Sequence, residues 1–177
     1  MKARTTIIGT LSLLLQGGPG PARAIRTSSF KLEDHILKPG ESPLADLSGD
    51  LFDIALDVEM GDATEFGLRF HESSVACAAD KVTSLGAVAK VTSREGRIKL
   101  RILVDLTSVE TFVNNGEAAL PCCFVPKNRE TGPELYAEGG NAKNRSLRVS
   151  KLRSIWRSSA TTEQPEQTES SLSAETD

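Results

Sequence analysis

Two acidic residues, Asp105 and Glu110, stand five positions apart in the segment VDLTSVE and are the first candidates for chemistry. A pair of carboxylates performs acid–base or nucleophilic catalysis when a cleft holds one of them protonated and the other ionised. Thr107 and Ser108 lie between the two acids, and side chains of these types hydrogen-bond to nearby backbone in turns. We therefore expect Asp105 and Glu110 to cap backbone amides and hold a corner of the chain, and we predict no catalytic residue.

Side chains that bind metals or act as nucleophiles are few. His35 and His71 are the only histidines, and neither has an acidic or cysteine partner at the spacing of a metal site, so no metal or cofactor is predicted. Cys77, Cys122 and Cys123 do not form a disulfide framework, because neighbours on a strand point to opposite faces. We expect free, partly buried thiols.

Two aromatic residues are candidates for contact with a carbohydrate: Trp156, the only tryptophan, and Tyr136, the only tyrosine. A lone tryptophan at the end of a domain more often packs its ring against the core. The basic residues near Trp156 form either an anion-binding patch or a solvated outer strand face, which is the commoner arrangement. These are Lys143, Arg145, Arg148, Lys151, Arg153 and Arg157.

A hairpin between Arg97 and Gly116 is the element that positions the two acids. Apolar and basic residues alternate from Arg97 to Val104, which predicts a strand with one buried and one wet face. A second strand follows at 109–113. The sequence Asn114-Asn115-Gly116 supplies the positive φ angles that a tight turn requires.

The rest of the chain shows the same short alternating runs. They predict strands near 25–43, 52–60, 66–70, 118–125, 135–138 and 146–152, and short irregular strands between 71 and 93. Turns at Gly61-Asp62 and Gly139-Gly140 predict a hairpin between 52–60 and 66–70 and a closing pair of strands at 135–138 and 146–152. Many short strands with frequent turns and no convincing helix predict an all-β fold, a two-sheet antiparallel β-sandwich of the jelly-roll or concanavalin-like kind.

Composition narrows the class of protein. The chain has 177 residues, one domain by the usual length prior, and a formal net charge of −3. That charge argues against a general nucleic-acid binder, which needs a cationic surface to displace counterions from phosphates. No apolar run reaches the length that spans a bilayer.

The hairpin also carries a family resemblance. The run Val104–Glu110, with Phe112, Asn114 and Gly116 after it, resembles the signature of the C-terminal β-sandwich of family 32 glycoside hydrolases, the β-fructosidases of invertase, levanase and inulinase type. Segments 44–54, 63–68, 135–140 and 152–156 resemble further strands of that domain in the same order. Leu106 departs from the pattern, since the family usually has an arginine there.

The resemblance implies an accessory domain and not an active site. The family's working carboxylates lie in its propeller, in tryptophan-methionine-asparagine-aspartate-proline-asparagine-glycine, arginine-aspartate-proline and glutamate-cysteine motifs. None of these occurs in the sequence. The implied role is a structural or interaction module that partners a catalytic propeller or forms a homo-oligomer.

The two ends of the chain allow further expectations. Residues 1–24 fit either a weak secretory signal peptide, with Lys2 and Arg4 before an apolar run, or the remnant of a last propeller strand and linker. The first predicts export, and the second a misplaced start in a fragment that would be cytoplasmic. We place the sandwich at residues 25–157. Residues 158–177 are acidic and poor in apolar residues, so we expect them to be disordered.

Two alternatives to the accessory role stay open at this stage. The sandwich could bind fructan through Trp156 and Tyr136, a hypothesis that rests on fold analogy alone. The sequence could also be a piece of a complete hydrolase of O-glycosyl bonds. Fructan linkage and oligomeric state do not follow from the sequence.

Overall fold

A computed structural model describes residues 26–70, 73–125 and 132–154. This part of the chain contains eleven β-strands and no helix, which confirms the predicted all-β class. The strands are β1 (Arg26–Leu37), β2 (Phe52–Glu59), β3 (Glu65–Phe70), β4 (Ser73–Ala78), β5 (Lys81–Ser84), β6 (Ala87–Lys90), β7 (Arg97–Val104), β8 (Ser108–Val113), β9 (Ala118–Cys123), β10 (Glu134–Glu138) and β11 (Ala142–Leu152).

The strands form two antiparallel sheets, as predicted. One sheet has six strands in the order β1-β11-β2-β7-β8-β9, and the other has five in the order β10-β3-β4-β5-β6. Gly139 and Gly140 do not close a hairpin, because β10 and β11 belong to opposite sheets and the chain crosses between the layers there. Gly61 and Asp62 likewise do not close the hairpin predicted between 52–60 and 66–70, because β2 and β3 also belong to opposite sheets. Both predicted pairings were therefore wrong, although the strands themselves are present.

Alternating side chains place the core between the sheets. On β7, Ile98, Leu100 and Ile102 are buried, whereas Lys99 and Arg101 on the other face are exposed. A fully buried side chain of this size contributes about 1.5–3 kcal/mol relative to its exposed state. The largest of the fully buried residues come from both sheets: Phe52, Ile54, Ile98, Ile102 and Leu147 from the first, and Phe66, Leu68, Val75 and Leu135 from the second.

The predicted hairpin turn follows β8. Asn114, Asn115 and Gly116 have φ angles of 48°, 63° and 101°. Asparagine and glycine are the residues that adopt this left-handed region at low cost. The turn joins β8 to β9 and fixes the register that pairs Val113 with Ala118 across these two strands.

Two buried hydroxyl groups link the sheets inside the core. Ser84 Oγ on β5 lies 3.1 Å from Thr111 Oγ1 on β8, and both residues are fully buried. The thiol of Cys122 donates a hydrogen bond to the Ser84 carbonyl. Cys77, Cys122 and Cys123 are free thiols that are buried, half-buried and exposed respectively, as the spacing predicts.

Candidate functional site

The signature turn between β7 and β8 places the two predicted acids apart. Asp105 is exposed, and its Oδ1 accepts a hydrogen bond of 2.7 Å from the Leu106 amide, so this carboxylate does cap the backbone. The Asp105 amide donates to the Ser108 carbonyl, and the Thr107 carbonyl accepts from the Phe124 amide. Glu110 is exposed on the outer face of β8, opposite Leu103. Its carboxylate accepts no hydrogen bond from a described residue, so the capping role expected of Glu110 was wrong.

Asn114 at the other end of the signature is a hydrogen-bonding hub. Its Oδ1 accepts from the Lys99 amide at 3.1 Å, and its Nδ2 donates to the Thr92 carbonyl and to Glu117 Oε2. The hydrogen bond from Asn114 is the main cause that lowers the pKa of Glu117. The signature asparagine therefore joins the turn to the loop before β7.

Tyr136 lies under an arginine on the outer face of the five-stranded sheet. Its hydroxyl donates to Glu65 Oε1 at 2.7 Å, and the Arg69 guanidinium carbon sits 3.6 Å from the ring centre. The ring is 5% exposed, and burial is the main cause that raises the pKa of Tyr136, followed by the Glu65 carboxylate. A sugar could stack on Tyr136 only after Arg69 moved off the ring. Trp156, the other predicted sugar contact, lies outside the described residues, as do His71 and Arg157.

A glycine makes room for the tyrosine ring. A Cβ at Gly67 would lie 2.6 Å from Tyr136 Cζ and Oη and 2.6 Å from the Val75 carbonyl oxygen. Sequence reasoning missed this close approach, and the signal that could have found it is a glycine inside the alternating run Glu65–Phe70.

Two carboxylates on that face, Glu65 and Glu138, are directly opposite each other on β3 and β10. Each carboxylate has a partner, since Glu65 accepts from Tyr136 and Glu138 forms an ion pair with Arg69. Both lie on the outer surface of the five-stranded sheet. We therefore assign this pair a structural role in holding Tyr136 and Arg69.

Buried aspartates on β2 anchor the arginines of the other sheet. Asp53 is 7% exposed and accepts from Arg26 Nη2 at 2.6 Å and from Arg101 Nε at 3.1 Å. Asp57 is likewise buried and accepts two hydrogen bonds from Arg97. The wet face predicted for β2 is therefore covered by arginine side chains.

A row of residues, one from each of five adjacent strands, crosses the outer face of this six-stranded sheet. The pairings Lys31–Arg148, Arg148–Ala55, Ala55–Arg101 and Arg101–Phe112 put the five side by side. In the next row Ser146, Asp57 and Lys99 are neighbours in the same way.

The small side chains of Ala55 and Ser146 leave an open groove of about 710 Å³ between the long ones. We call it the basic groove; it is lined chiefly by Lys31, Lys99, Arg101, Arg148, Ala55 and Phe112, with Glu33 and Asp57 as its acids. Among the described members of the predicted basic cluster, only Arg148 lines it. Lys143 and Arg145 pair with Asp34, and Arg145 also pairs with Glu59.

A second concavity lies at the end of the six-stranded sheet, where the signature turn meets the end of β11. It has a volume of about 520 Å³, and Leu51, Leu103, Leu106 and Leu152 line it together with Asp105, Thr107, Ser108 and Glu110. Leu106 is 37% exposed. We call this apolar concavity the terminal hollow. Arg26, the first described residue, pairs with Leu152 at this same end of the sheet.

The family comparison identifies the fold just described. Residues 74–151, which span β4 to β11, match the family model described as "Glycosyl hydrolases family 32 C terminal". The sandwich is a family 32 C-terminal domain. The recognition from the signature turn is thereby confirmed.

Two curated relatives of this family 32 domain are bacterial levanases. The levanase of Bacillus sp. (strain L7) is 32% identical over 143 residues, and the alignment covers 67% of this chain and 16% of that protein. The levanase of Bacillus subtilis (strain 168) is 28% identical over 163 residues, covering 75% of this chain and 23% of that protein. The chain thus spans less than a quarter of the length of either relative.

Solved structures agree on the fold of the domain. Exo-inulinase from Aspergillus awamori superposes with a TM-score of 0.62 at 21% identity, over 75% of this chain and 31% of that one. Fructan 1-exohydrolase IIa from Cichorium intybus gives a TM-score of 0.55 at 16% identity, over 73% of this chain and 36% of that one.

Two features are absent from the part of the chain that the structure describes. No helix in that part of the chain is long and apolar enough to cross a membrane. Residues 26–70, 73–125 and 132–154 hold no group of three or more histidine, cysteine, aspartate or glutamate side chains that could bind a metal ion.

Proposed function

We propose that this family 32 domain is the accessory sandwich of a β-fructosidase, which packs against the enzyme's catalytic domain and stabilises it. The observation that carries the proposal is the family match over β4–β11 together with levanases as relatives. The chain corresponds to a small share of each levanase, which leaves most of the relative's length for the part that performs catalysis. The substrate class that follows is a β-fructoside such as levan, inulin or sucrose.

The terminal hollow is the surface that we assign to this packing. Its four leucines are partly exposed, and an apolar concavity of this kind favours contact with another protein surface. The chain that precedes Arg26 joins the sandwich at the same end, beside Leu152. In a family whose sandwich is C-terminal, the catalytic domain comes earlier in the chain, so the polypeptide enters the sandwich at the end where the hollow lies.

The family departure at position 106 supports this assignment. Leu106 stands where the family usually has an arginine, and its side chain lines the hollow. A leucine makes this surface more apolar than an arginine would, since burial of its side chain contributes about 1.5–3 kcal/mol. The partner surface that fits is accordingly apolar.

The test mixes the full chain with the catalytic part of the Bacillus sp. (strain L7) levanase, prepared without the region that matches this chain. We expect the chain to bind and to raise the melting temperature of the catalytic part. At a concentration of about one hundred times its Kd, the chain would contribute roughly 2.7 kcal/mol of stability. The chain alone is expected to release no fructose from levan.

Leu106→Asp serves as the interface variant, because it places a charge in the hollow while the isolated sandwich tolerates it at a partly exposed position. Val88→Asp is the matched control, at a 61%-exposed position on the five-stranded sheet. We expect Leu106→Asp to abolish the rise in melting temperature and Val88→Asp to preserve it. A catalytic part that saturating chain neither binds nor stabilises would overturn the proposal.

A further inference from the structure

Positive charge collects in the basic groove of a chain whose net charge is −3. Within the described part of the chain, Lys31, Lys99 and Arg148 have no ion-pair partner, whereas Arg101 shares Asp53 with Arg26. Cations that share one concave surface add their fields inside it and concentrate anions there. The groove is thus complementary to a negatively charged ligand.

The length of the groove sets the size of that ligand. Its row runs from Lys31 on β1 to Phe112 on β8, across four strand-to-strand spacings. At about 4.8 Å for each spacing, the row extends roughly 19 Å. Ala55 forms its floor, with Arg148 on one side and Arg101 on the other. The shape fits an extended chain with several charged groups better than a single small anion.

The side chains of the groove define the chemistry of the ligand. Lysine and arginine are donors without acceptor capacity, and they bind carboxylate and phosphate oxygens through charge-assisted hydrogen bonds. Phe112 is half-buried at the end of the row and offers an apolar ring face. An acidic sugar presents ionised oxygen acceptors to the basic side chains and an apolar face to the Phe112 ring.

We propose that the basic groove binds an acidic oligosaccharide, that is, a glycan whose sugars carry carboxylate or phosphate groups. The charged groups lie against Lys31, Arg148, Arg101 and Lys99, and an apolar sugar face packs on Phe112. This binding site is separate from the terminal hollow and does not depend on the accessory role.

A glycan fits the groove better than a nucleic acid. Proteins that bind single strands stack successive bases on several aromatic side chains along a positively charged track. The basic groove offers one aromatic ring, and Glu33 and Asp57 interrupt its positive charge. A glycan is therefore the ligand that we expect, and the experiment includes an oligonucleotide as a competing ligand.

The experiment measures binding of the full chain by isothermal titration calorimetry at low ionic strength. The carboxylate probe is a short oligogalacturonate, and the phosphate probe is a phosphomannan oligosaccharide. A neutral levan oligosaccharide and inorganic phosphate are the controls for the sugar and for the charge. We expect both acidic glycans to bind, and the affinity of each to fall as salt is added. The glycan that binds more tightly identifies the anionic group that the groove prefers.

Variants locate the binding site. Loss of a charge-assisted hydrogen bond in Arg148→Gln or Lys99→Gln should weaken the acidic glycan by about tenfold or more. Phe112→Ala should weaken the glycan without changing the affinity for inorganic phosphate. Glu33→Gln removes an acid from the groove and should strengthen binding several-fold, a gain that a misfolded variant cannot produce. Lys90→Gln, on exposed β6 of the other sheet, is the matched control and should change nothing.

Several results would overturn the assignment. These are no binding of either acidic glycan, equal binding of the neutral levan oligosaccharide, or affinities that Arg148→Gln and Glu33→Gln leave unchanged. If a single-stranded oligonucleotide of equal charge displaced the glycan, the ligand of the groove would be a nucleic acid and not an acidic glycan. The melting temperature of each variant shows whether its fold is retained.

Discussion

The outer face of the six-stranded sheet carries long basic side chains in its central row, whereas the central row on the outer face of the five-stranded sheet carries mainly small residues. Each face has a central cross-strand row that ends in one aromatic ring. In the first, the row is Lys31, Arg148, Ala55, Arg101 and Phe112. In the second, it is Tyr136, Gly67, Ala76, Thr83 and Val88.

Comparison of the two rows shows that a small residue can leave the sheet surface above it either covered by a neighbouring side chain or open to solvent. Gly67 lets the Tyr136 ring lie directly on the backbone, and Arg69 covers the ring. Ala55 lies between Arg148 and Arg101, whose exposed side chains do not cover it, so the space above it stays open. One face is a closed structural surface, and the other is a surface that a ligand can enter.

The largest expected effect is on the closed face. Gly67→Val places side-chain atoms where the Tyr136 ring and the Val75 carbonyl already lie, and we expect it to lower the free energy of unfolding by about 3 kcal/mol. Urea denaturation followed by circular dichroism measures the loss. Thr83→Val, two strands away on the same row, should stay within about 0.5 kcal/mol. Equal stability of the two variants would show that Tyr136 does not occupy the space above Gly67.

The next effect concerns the turn at Asn114–Gly116 between β8 and β9, which lies beside the open face. Asn114→Gly keeps the positive φ angle but removes three hydrogen bonds, and we expect a loss of about 2 kcal/mol. Asn115→Gly, at the neighbouring exposed position with φ 63°, should be nearly neutral. Thermal unfolding of both variants separates the hydrogen bonds from the backbone conformation. Similar melting temperatures would contradict the role of Asn114 as a hub.

A smaller effect depends on pH. Burial alone would raise the pKa of Asp53, but the hydrogen bonds from Arg101 and then Arg26 outweigh it and hold the pKa below its usual value of 3.8. Because the folded pKa is lowered, the stabilisation is present above the unfolded pKa and is lost as the pH falls through the folded one. Discounted for the partial exposure of both arginines, it amounts to about 1 kcal/mol.

Asp53→Asn tests whether the ionised Asp53 carboxylate stabilises the fold at neutral pH. The variant should be less stable than the parent at neutral pH, and the difference should shrink as the pH falls below about 4. Glu138→Gln on the closed face breaks an ion pair with Arg69 between two half-exposed side chains, and should cost less than about 0.5 kcal/mol. Urea titrations across the acidic range measure both. A stability gap for Asp53→Asn that grows on acidification would contradict the arrangement.

Local periodicity was enough to predict the strands and the turn residues, because alternation and positive φ angles are set by neighbours in sequence. The hairpin between Arg97 and Gly116 is an example. The partners of β10 and β11 were not predictable in this way, since the chain crosses between layers at Gly139 and Gly140. The ion pairs of Asp53 and the row of the basic groove join strands far apart in sequence, so only the register between sheet neighbours reveals them.

The sequence predicted a site only where the residues of that site belong to one continuous motif. Val104–Glu110 marked the turn and the family, and the terminal hollow lies against that turn. Tyr136 attracted attention as an aromatic residue, yet its burial under Arg69 depends on Gly67 of another strand. Lys31 and Arg148, which are adjacent in the groove, are more than a hundred positions apart along the chain.

Hydrogen–deuterium exchange of the full chain, with and without the levanase catalytic part, tests the central claim most directly. The accessory role predicts that amides around the terminal hollow, in the segments before β2 and from Val104 to Glu110, exchange more slowly in the mixture, while β5 and β6 are unchanged. Protection confined to the five-stranded sheet, or no protection anywhere, would contradict it.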